Sequence, residues 1–227
     1  PNIIFINTCS VTAKANVESL GLIRHLQKQY PKAKIIVSGC ADTNNIQNLK
    51  NIAFISNTNK EAKLNILKSL YNPIIGDKFS NTHRYLLKIQ SGCTANCSYC
   101  TVPLRRPYLW SLPIIDAVNT VNSVLNYGYR EIIITGVNLL QYAPGFSNLI
   151  EALLTQTKVP LISFGSIPLL CIDNKFINLY KRYSARLSHF LHIPLQSGSN
   201  KILKLMNRPY DNLKIKKLID NCKLKID

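Results

Sequence analysis

Three cysteines lie close together in the stretch CTANCSYC, at residues 93–100. Cys93, Cys97 and Cys100 have the spacing C-x-x-x-C-x-x-C, which could hold three irons of a cubane iron–sulfur cluster. The fourth iron would then lack a protein ligand and could bind a substrate or cofactor. A structural zinc site is the alternative, but it usually needs a fourth Cys or His close by, and none lies within several residues of this stretch.

Two more cysteines, Cys9 and Cys40, follow short apolar runs at residues 3–6 and 35–38, which are typical of buried parallel strands. Open α/β sheets place their sites at the carboxyl ends of such strands. One cysteine there is usually a small buried hydrophobic residue, whereas two in short polar turns are more suggestive of ligands. Cys171 and Cys222 match no motif, and structural roles are predicted for both.

Apolar runs alternate with helical stripes along the chain. Strands are predicted at residues 3–6, 35–38, 54–55, 85–89, 131–135, 160–164 and 190–195. Helices are predicted at residues 13–30, 46–50, 61–70, 113–128, 149–157, 176–183 and 213–222. This alternation predicts an α/β fold with parallel sheets. A small N-terminal α/β domain is expected over residues 1–76, a linker near residues 72–81, and a second domain over residues 80–227.

The composition favours a nucleic-acid partner. The chain has 227 residues, 46% of them hydrophobic, so it can bury a substantial core. Lys and Arg number 28 against 11 Asp and Glu, giving a net charge of +17. Seven cysteines do not make a secreted disulfide scaffold, and clustered thiols fit the cytoplasm. The sequence shows no signal peptide and no apolar run of membrane-spanning length, so no membrane association is predicted.

Three longer blocks carry a family resemblance: LLKIQSGCTANCSYCTVP at residues 86–103, GYREIIITGVN at 128–138 and LHIPLQSGSNKILKLMNRPY at 191–210. They resemble the radical S-adenosylmethionine (SAM) methylthiotransferase family, whose cysteine motif also has an aromatic residue where Tyr99 stands. The resemblance implies that the second domain is an incomplete parallel (β/α) barrel. It implies that Cys93, Cys97 and Cys100 hold a [4Fe-4S] cluster whose open iron binds SAM, and that an electron from the cluster generates a 5′-deoxyadenosyl radical.

The resemblance extends to other candidate site residues. The segments around Cys9 and Cys40, NTCSVT and SGCADT, resemble two of the three motifs that hold an auxiliary [4Fe-4S] cluster in the family. The third motif would lie before residue 1. Four residues at predicted strand ends are expected to bind the SAM cofactor: Gly136, Asn138, Gln196 and Ser197.

The sequence also departs from the family pattern. Arg106-Pro107 stands where the family has Arg-Gly, and the basic residues that follow are replaced by apolar ones. Gly165-Ser166-Ile167-Pro168 stands where the family has Ser-Ser-(Ile or Leu)-acid. The family's further barrel strands and small C-terminal RNA-binding β-domain are not matched. These departures, with the unmatched upstream motif, predict a chain truncated at both ends or a decaying gene.

The resemblance implies a tRNA-modifying enzyme that methylthiolates C2 of N6-threonylcarbamoyladenosine beside the anticodon. The isopentenyladenosine branch of the family is the alternative substrate class, and the ribosomal-protein branch fits the positive charge less well. A non-catalytic remnant is the competing hypothesis from another class, followed by a zinc-stabilised RNA-binding module. The expected partners are tRNA, SAM and an electron donor.

Overall fold

The computed structural model describes residues 1–8, 13–40, 51–55 and 83–226. Three predicted segments lie outside these ranges: the helices at 46–50 and 61–70, and the linker at 72–81. The chain divides into two compact units, Pro1–Asp77 with Leu104–Arg106, and Lys78–Pro103 with Pro107–Asp227. The predicted domain boundary near residues 76–80 falls outside the described ranges and stays a prediction.

The first unit contains a parallel sheet. Strands β1 (Ile3–Thr8), β2 (Lys34–Gly39) and β3 (Ile52–Ile55) lie in that order, and helix α1 spans Ala13–Gln29. Ile23 from α1 is fully buried against Ile35 and Val37 from the central strand. Val17 in the same helix is 68% exposed, because the buried side of α1 is centred on Ile23.

The second unit contains a four-stranded sheet in the order β5-β4-β6-β7. Its strands are β4 (Arg84–Ser91), β5 (Trp110–Ser111), β6 (Glu131–Gly136) and β7 (Leu161–Phe164). Strands β4, β6 and β7 run parallel, and the short β5 is antiparallel to β4. The parallel part of this sheet confirms the predicted α/β fold class.

Helices alternate with the strands of the second unit. Five of them are α3 (Ile114–Asn126), α4 (Phe146–Gln156), α5 (Asn174–Tyr183), α6 (Asn200–Leu205) and α7 (Asn212–Ile226). The short helix α2 (Val102–Arg105) buries none of its residues. Helix α3 buries Val118 and Val121 at helical spacing, as predicted, and ends before Gly128 at a φ of +85°. Asp173 caps the N-terminus of α5, because its Oδ1 accepts from the Phe176 N–H at 2.7 Å. Alternate residues of β6, Ile132 and Ile134, complete the same core.

The predicted strand at residues 190–195 was wrong. Around that segment, the described residues form only single parallel bridges, Ile162 to Leu187 and Ser166 to His192. Pro194 has no N–H to donate to a neighbouring strand, and the Leu195 N–H turns back to the Ile193 carbonyl at 2.9 Å. The segment therefore runs beside β7 without forming a regular ladder.

Across the described residues, no helix has both the length and the apolar character needed to cross a membrane.

Candidate functional site

Cys93, Cys97 and Cys100 line one cavity of about 420 Å³ in the second unit. The cavity lies where β4, β6 and β7 end, because its lining also includes Gly136 from the end of β6 and Ser166 from just after β7. Parallel strands bring their carboxyl ends to one edge of a sheet, and residues distant in sequence meet there. The structure therefore places all three motif cysteines at one concave site.

Gly92 and Gln90 shape the start of the cysteine loop. Gly92 has a φ of +84°, and a Cβ at this position would overlap the Tyr108 carbonyl. Gln90 is completely buried, and its Nε2 donates to the carbonyls of Ser91 and Gly92 at 3.0 and 2.8 Å. The backbone just before Cys93 is consequently fixed from both sides.

Asn138 connects the end of β6 to the first cysteine. Its N–H donates to Gln90 Oε1 at 2.7 Å, and its Nδ2 lies 3.4 Å from Cys93 Sγ. The Ala95 N–H also points to Cys93 Sγ, at 3.4 Å. Two N–H donors thus face the sulfur of the first cysteine.

Further hydrogen bonds hold the rest of the loop. Gln141 binds Thr94 twice, accepting its N–H at 3.0 Å and donating to its Oγ1 at 2.6 Å. Ser98 Oγ donates to the Leu205 carbonyl at 2.8 Å, across 107 positions of sequence. The Ser98 N–H donates to the Met206 carbonyl at 3.4 Å. The loop is thus fastened to the turn after α6 as well as to the sheet.

Arg208 follows that turn and faces the second cysteine. Its Nη1 lies 3.5 Å from Cys97 Sγ and 3.3 Å from Tyr99 Oη, while Nε and Nη2 donate to Tyr210 Oη at 3.0 and 2.7 Å. Burial lowers the pKa of Arg208, but the hydrogen bonds to Tyr210 and Cys97 outweigh it and leave the pKa raised. Burial raises the pKa of Tyr99, against the opposing effect of Arg208. Both groups therefore keep their protons at neutral pH.

The arrangement fits a cluster with three protein ligands. None of the three cysteines is in a disulfide. Within the described part of the chain, no three His, Cys, Asp or Glu side chains are close enough together to hold a single metal ion. Each thiolate of a cubane binds a different iron, so cluster ligands can surround a cavity without converging on one point. A cavity lined by three thiols, two of which receive N–H donors, meets that requirement.

The structure places three of the four predicted SAM-binding residues at the cavity. Gly136, Asn138 and Gln196 line the cavity, whereas the described lining does not include Ser197. A Cβ at Gly136 would come within 2.7 Å of Leu139 Cδ2, so a larger residue there would require the Leu139 side chain to move. The SAM-binding roles of all four residues stay predictions.

The remaining cysteines lie elsewhere. Cys40 is buried directly after β2, at the predicted strand end, and Cys9 lies outside the described residues. Cys171 belongs to the hydrophobic core of the second unit, and burial, with a smaller effect of Asp173, raises the pKa of its thiol to about 12. Cys222 packs partly buried against the same core. These positions agree with structural roles for Cys171 and Cys222.

Sequence reasoning missed three residues that organise the site: Gln90, Gly92 and Arg208. Gly92 could have been found, because a glycine directly before a ligand cysteine often marks a backbone turn that no side chain tolerates. Gln90 and Arg208 gave no such signal, because their roles depend on contacts with distant segments.

The sequence profile of the Radical SAM superfamily matches residues 87–227, more than half of the chain. The chain belongs to the radical SAM superfamily. A second profile, described as Uncharacterized protein family UPF0004, matches residues 1–58. The cofactors predicted from the sequence, a [4Fe-4S] cluster and SAM, are those of the radical SAM superfamily.

Curated relatives confirm the predicted resemblance to methylthiotransferases. The chain is 31% identical to "Threonylcarbamoyladenosine tRNA methylthiotransferase MtaB" of Chlamydia pneumoniae, over 92% of this chain and 52% of the relative. It is 30% identical to "tRNA-2-methylthio-N(6)-dimethylallyladenosine synthase" of Thermodesulfovibrio yellowstonii, over 92% of this chain and 54% of the relative. The chain therefore spans about half the length of these curated relatives.

A solved structure shares the radical SAM fold. The methyltransferase TsrM from Kitasatospora setae, with cobalamin and a [4Fe-4S] cluster bound, aligns with a TM-score of 0.72 at 10% identity. The alignment covers all of this chain and 57% of TsrM. This similarity supports the partial (β/α) barrel predicted for the second domain.

Proposed function

We propose that this chain is part of an enzyme that methylthiolates C2 of N6-threonylcarbamoyladenosine beside the anticodon of tRNA. The observation that carries the proposal is the convergence of Cys93, Cys97 and Cys100 on one cavity at the strand ends. Relatives named for this substrate support it, and the net charge of +17 suits an RNA partner. The cytoplasm is the proposed location, and an electron donor is the further proposed partner.

The residues that line the cavity would hold the cluster in the following way. Cys93, Cys97 and Cys100 would hold the cluster, and the N–H groups of Ala95 and Asn138 would donate hydrogen bonds to the Cys93 sulfur. When bound, the cluster and SAM supply the electron and the radical precursor for attack on an unreactive C–H bond.

A second cluster in the first unit is part of the proposal. Cys40 lies at the end of β2 and would supply one ligand, and Cys9 would supply another. Only Cys40 is among the described residues, so its burial at a strand end is the structural support for this site.

Two other functions remain as candidates. The dimethylallyladenosine synthases are about as similar as the threonylcarbamoyladenosine enzymes, so isopentenyladenosine is the alternative substrate. A non-catalytic remnant is favoured by one observation at the cavity itself. Pro168 lines the cavity where the resembling family carries an acid, and proline offers no charge and no N–H.

Anaerobic reconstitution tests the cluster. The chain should take up four irons and four sulfides at the motif cysteines, in line with a [4Fe-4S] cluster. Cys97→Ala should abolish this uptake, whereas Cys222→Ala, at a half-buried cysteine outside the motif, should leave it unchanged. Zinc bound without sulfide would contradict the proposal. Reduction in the presence of SAM should then release 5′-deoxyadenosine, and a full cluster without this product would support the remnant.

Nucleoside analysis of cellular tRNA identifies the substrate. Deleting the gene should remove 2-methylthio-N6-threonylcarbamoyladenosine, and mass spectrometry of digested tRNA should show the unmodified precursor in its place. Complementation with the wild-type gene should restore the product, and the Cys97→Ala gene should not. Loss of the methylthio form of isopentenyladenosine instead would assign the alternative substrate, and an unchanged profile would contradict a role in tRNA modification.

A further inference from the structure

We propose that Arg208 is a positioning residue for the cluster: its guanidinium, held against Cys97 by Tyr99 and Tyr210, raises the reduction potential of the cluster. The proposal rests on the cluster site described above. It goes beyond that site because Arg208 lies 111 positions from Cys97, outside the cysteine motif.

The position of the guanidinium is fixed by several partners. Besides the contacts to Cys97 and Tyr99, two of its nitrogens donate to the same Tyr210 hydroxyl, and its Cζ lies 5.0 Å from the Tyr210 ring centroid. The Tyr210 hydroxyl in turn lies 3.2 Å from the Leu195 carbonyl. A side chain restrained on several edges keeps its charge in one place, so little conformational entropy remains to be lost when a cluster binds.

The backbone before Arg208 is fixed as well. Asn207, two residues after the end of α6, has a φ of +52°, and the N–H groups of Asn207 and Arg208 donate to the carbonyls of Lys204 and Leu203. These two bonds, with a left-handed residue between them, form a Schellman motif. Pro209 follows and limits the conformations available to the chain after the motif. Arg208 therefore leaves the helix in a direction set by local geometry.

Arg208 supplies the fixed side-chain charge at this cavity. Among the residues that line the cavity, all of them within the described part of the chain, it is the only one with a charged side chain. Arginine stays protonated at any physiological pH. Reduction of a cluster adds one negative charge, and a fixed cation beside a ligand thiolate stabilises that added charge. The expected consequence is a higher potential than the same loop would give without Arg208.

Redox titration of the reconstituted chain tests this proposal. Reduced clusters would be quantified by EPR at potentials set with dithionite and mediators, without SAM. Arg208→Met should shift the midpoint to a more negative value. Arg208→Lys, which keeps the charge but loses the planar fork, should shift it less. Equal iron and sulfide contents in all samples test the cluster premise separately from the role of Arg208.

Arg186→Met provides the matched control. Arg186 is also a half-buried arginine, and it donates to the carbonyls of Leu154, Thr157 and Val159 at the other end of β7. Its replacement should lower stability and leave the midpoint unchanged. If Arg208→Met takes up no cluster, a negative shift in Arg208→Lys still supports the proposal. A midpoint unchanged in both Arg208 variants, or shifted equally by Arg186→Met, overturns it.

Discussion

Gly92 has two separate reasons to be glycine. Its φ of +84° disfavours any side chain, and a Cβ would also overlap the Tyr108 carbonyl. Gly128 shares the first constraint, with a φ of +85°, but an added Cβ there would meet nothing within 4 Å. Substitutions at these two glycines can therefore distinguish the effect of a left-handed backbone from the effect of steric overlap.

Gly92→Ala should prevent normal assembly of the cysteine loop. The loop must move away from Tyr108, which displaces Cys93, so we expect iron uptake on reconstitution to fall several-fold. Gly128→Ala should cost only the left-handed strain, about 1 kcal/mol in the free energy of unfolding, and should leave iron uptake intact. Equal uptake by the two variants would show that the close approach of Gly92 is not important.

Gln90→Leu replaces a buried hydrogen-bonding side chain by an apolar side chain of similar size. The Ser91 and Gly92 carbonyls and the Asn138 N–H would lose their partner, and the bond to Gly92 is fully buried. Each unsatisfied buried group costs about 1–3 kcal/mol, so urea unfolding should show a loss of at least 2 kcal/mol. Thr120→Val, which removes an exposed hydroxyl bonded to the Asp116 carbonyl, should change stability by less than about 1 kcal/mol. A loss for Gln90→Leu no larger than that would contradict the proposed buried network.

At the scale of one element, the conformation of the turn after α6 predicts how substitutions at Asn207 change stability. Asn207 adopts the left-handed conformation, which asparagine tolerates better than most residues and glycine better still. Asn207→Gly should thus leave stability nearly unchanged, while Asn207→Ala should lower it by about 1 kcal/mol. Lys204→Ala, on the exposed side of the same helix, is the control for replacing a polar residue by alanine. Thermal unfolding monitored by circular dichroism measures all three, and an Asn207→Ala protein as stable as wild type would contradict the assigned cap.

Elements with strong local signals were predictable from the sequence. Helix α3 follows from Pro113, a buried stripe that includes Val118 and Val121, and Gly128 after its end. The cysteine site was also predictable, because three thiols at short spacing after a strand fall in one loop. The irregular structure of residues 190–195 was not predictable, because the apolar residues of this segment resemble those of a strand, whereas Pro194 removes a ladder hydrogen bond. The role of Arg208 depends on a contact across 111 positions, which no local pattern encodes.

At the scale of the whole molecule, buried ionisable groups make stability depend on alkaline pH. Burial raises the pKa of Cys171 from 9.0 to about 12 and that of Tyr142 from 10.0 to about 12, and it raises the pKa of Tyr180 as well. In the unfolded chain these groups would ionise near their ordinary pKa values. Raising the pH above about 9 therefore stabilises the unfolded state while the folded groups stay neutral, so stability is lost between pH 9 and 12.

Urea unfolding of the apoprotein at pH 8 and pH 10.5 measures this loss. Cys171 alone should contribute about 2 kcal/mol to the decrease, at about 1.4 kcal/mol per pH unit above 9. Cys171→Ala should be less stable than wild type at pH 8 but should lose about 2 kcal/mol less on going to pH 10.5. The same decrease in both proteins would show that the Cys171 thiol ionises in the folded state.

The two bonds from Ser98 to the turn after α6 have a consequence for synthesis on the ribosome. The cysteine loop leaves the ribosome 107 residues before its partner carbonyl at Leu205. At about 5–20 residues per second, the loop waits roughly 5–20 s for that partner. The motif is therefore complete as a sequence well before it is complete as a binding site. Iron delivered before residues 205 and 206 emerge would meet three thiols without the turn that holds their loop, which favours loading of the cluster after that turn has formed.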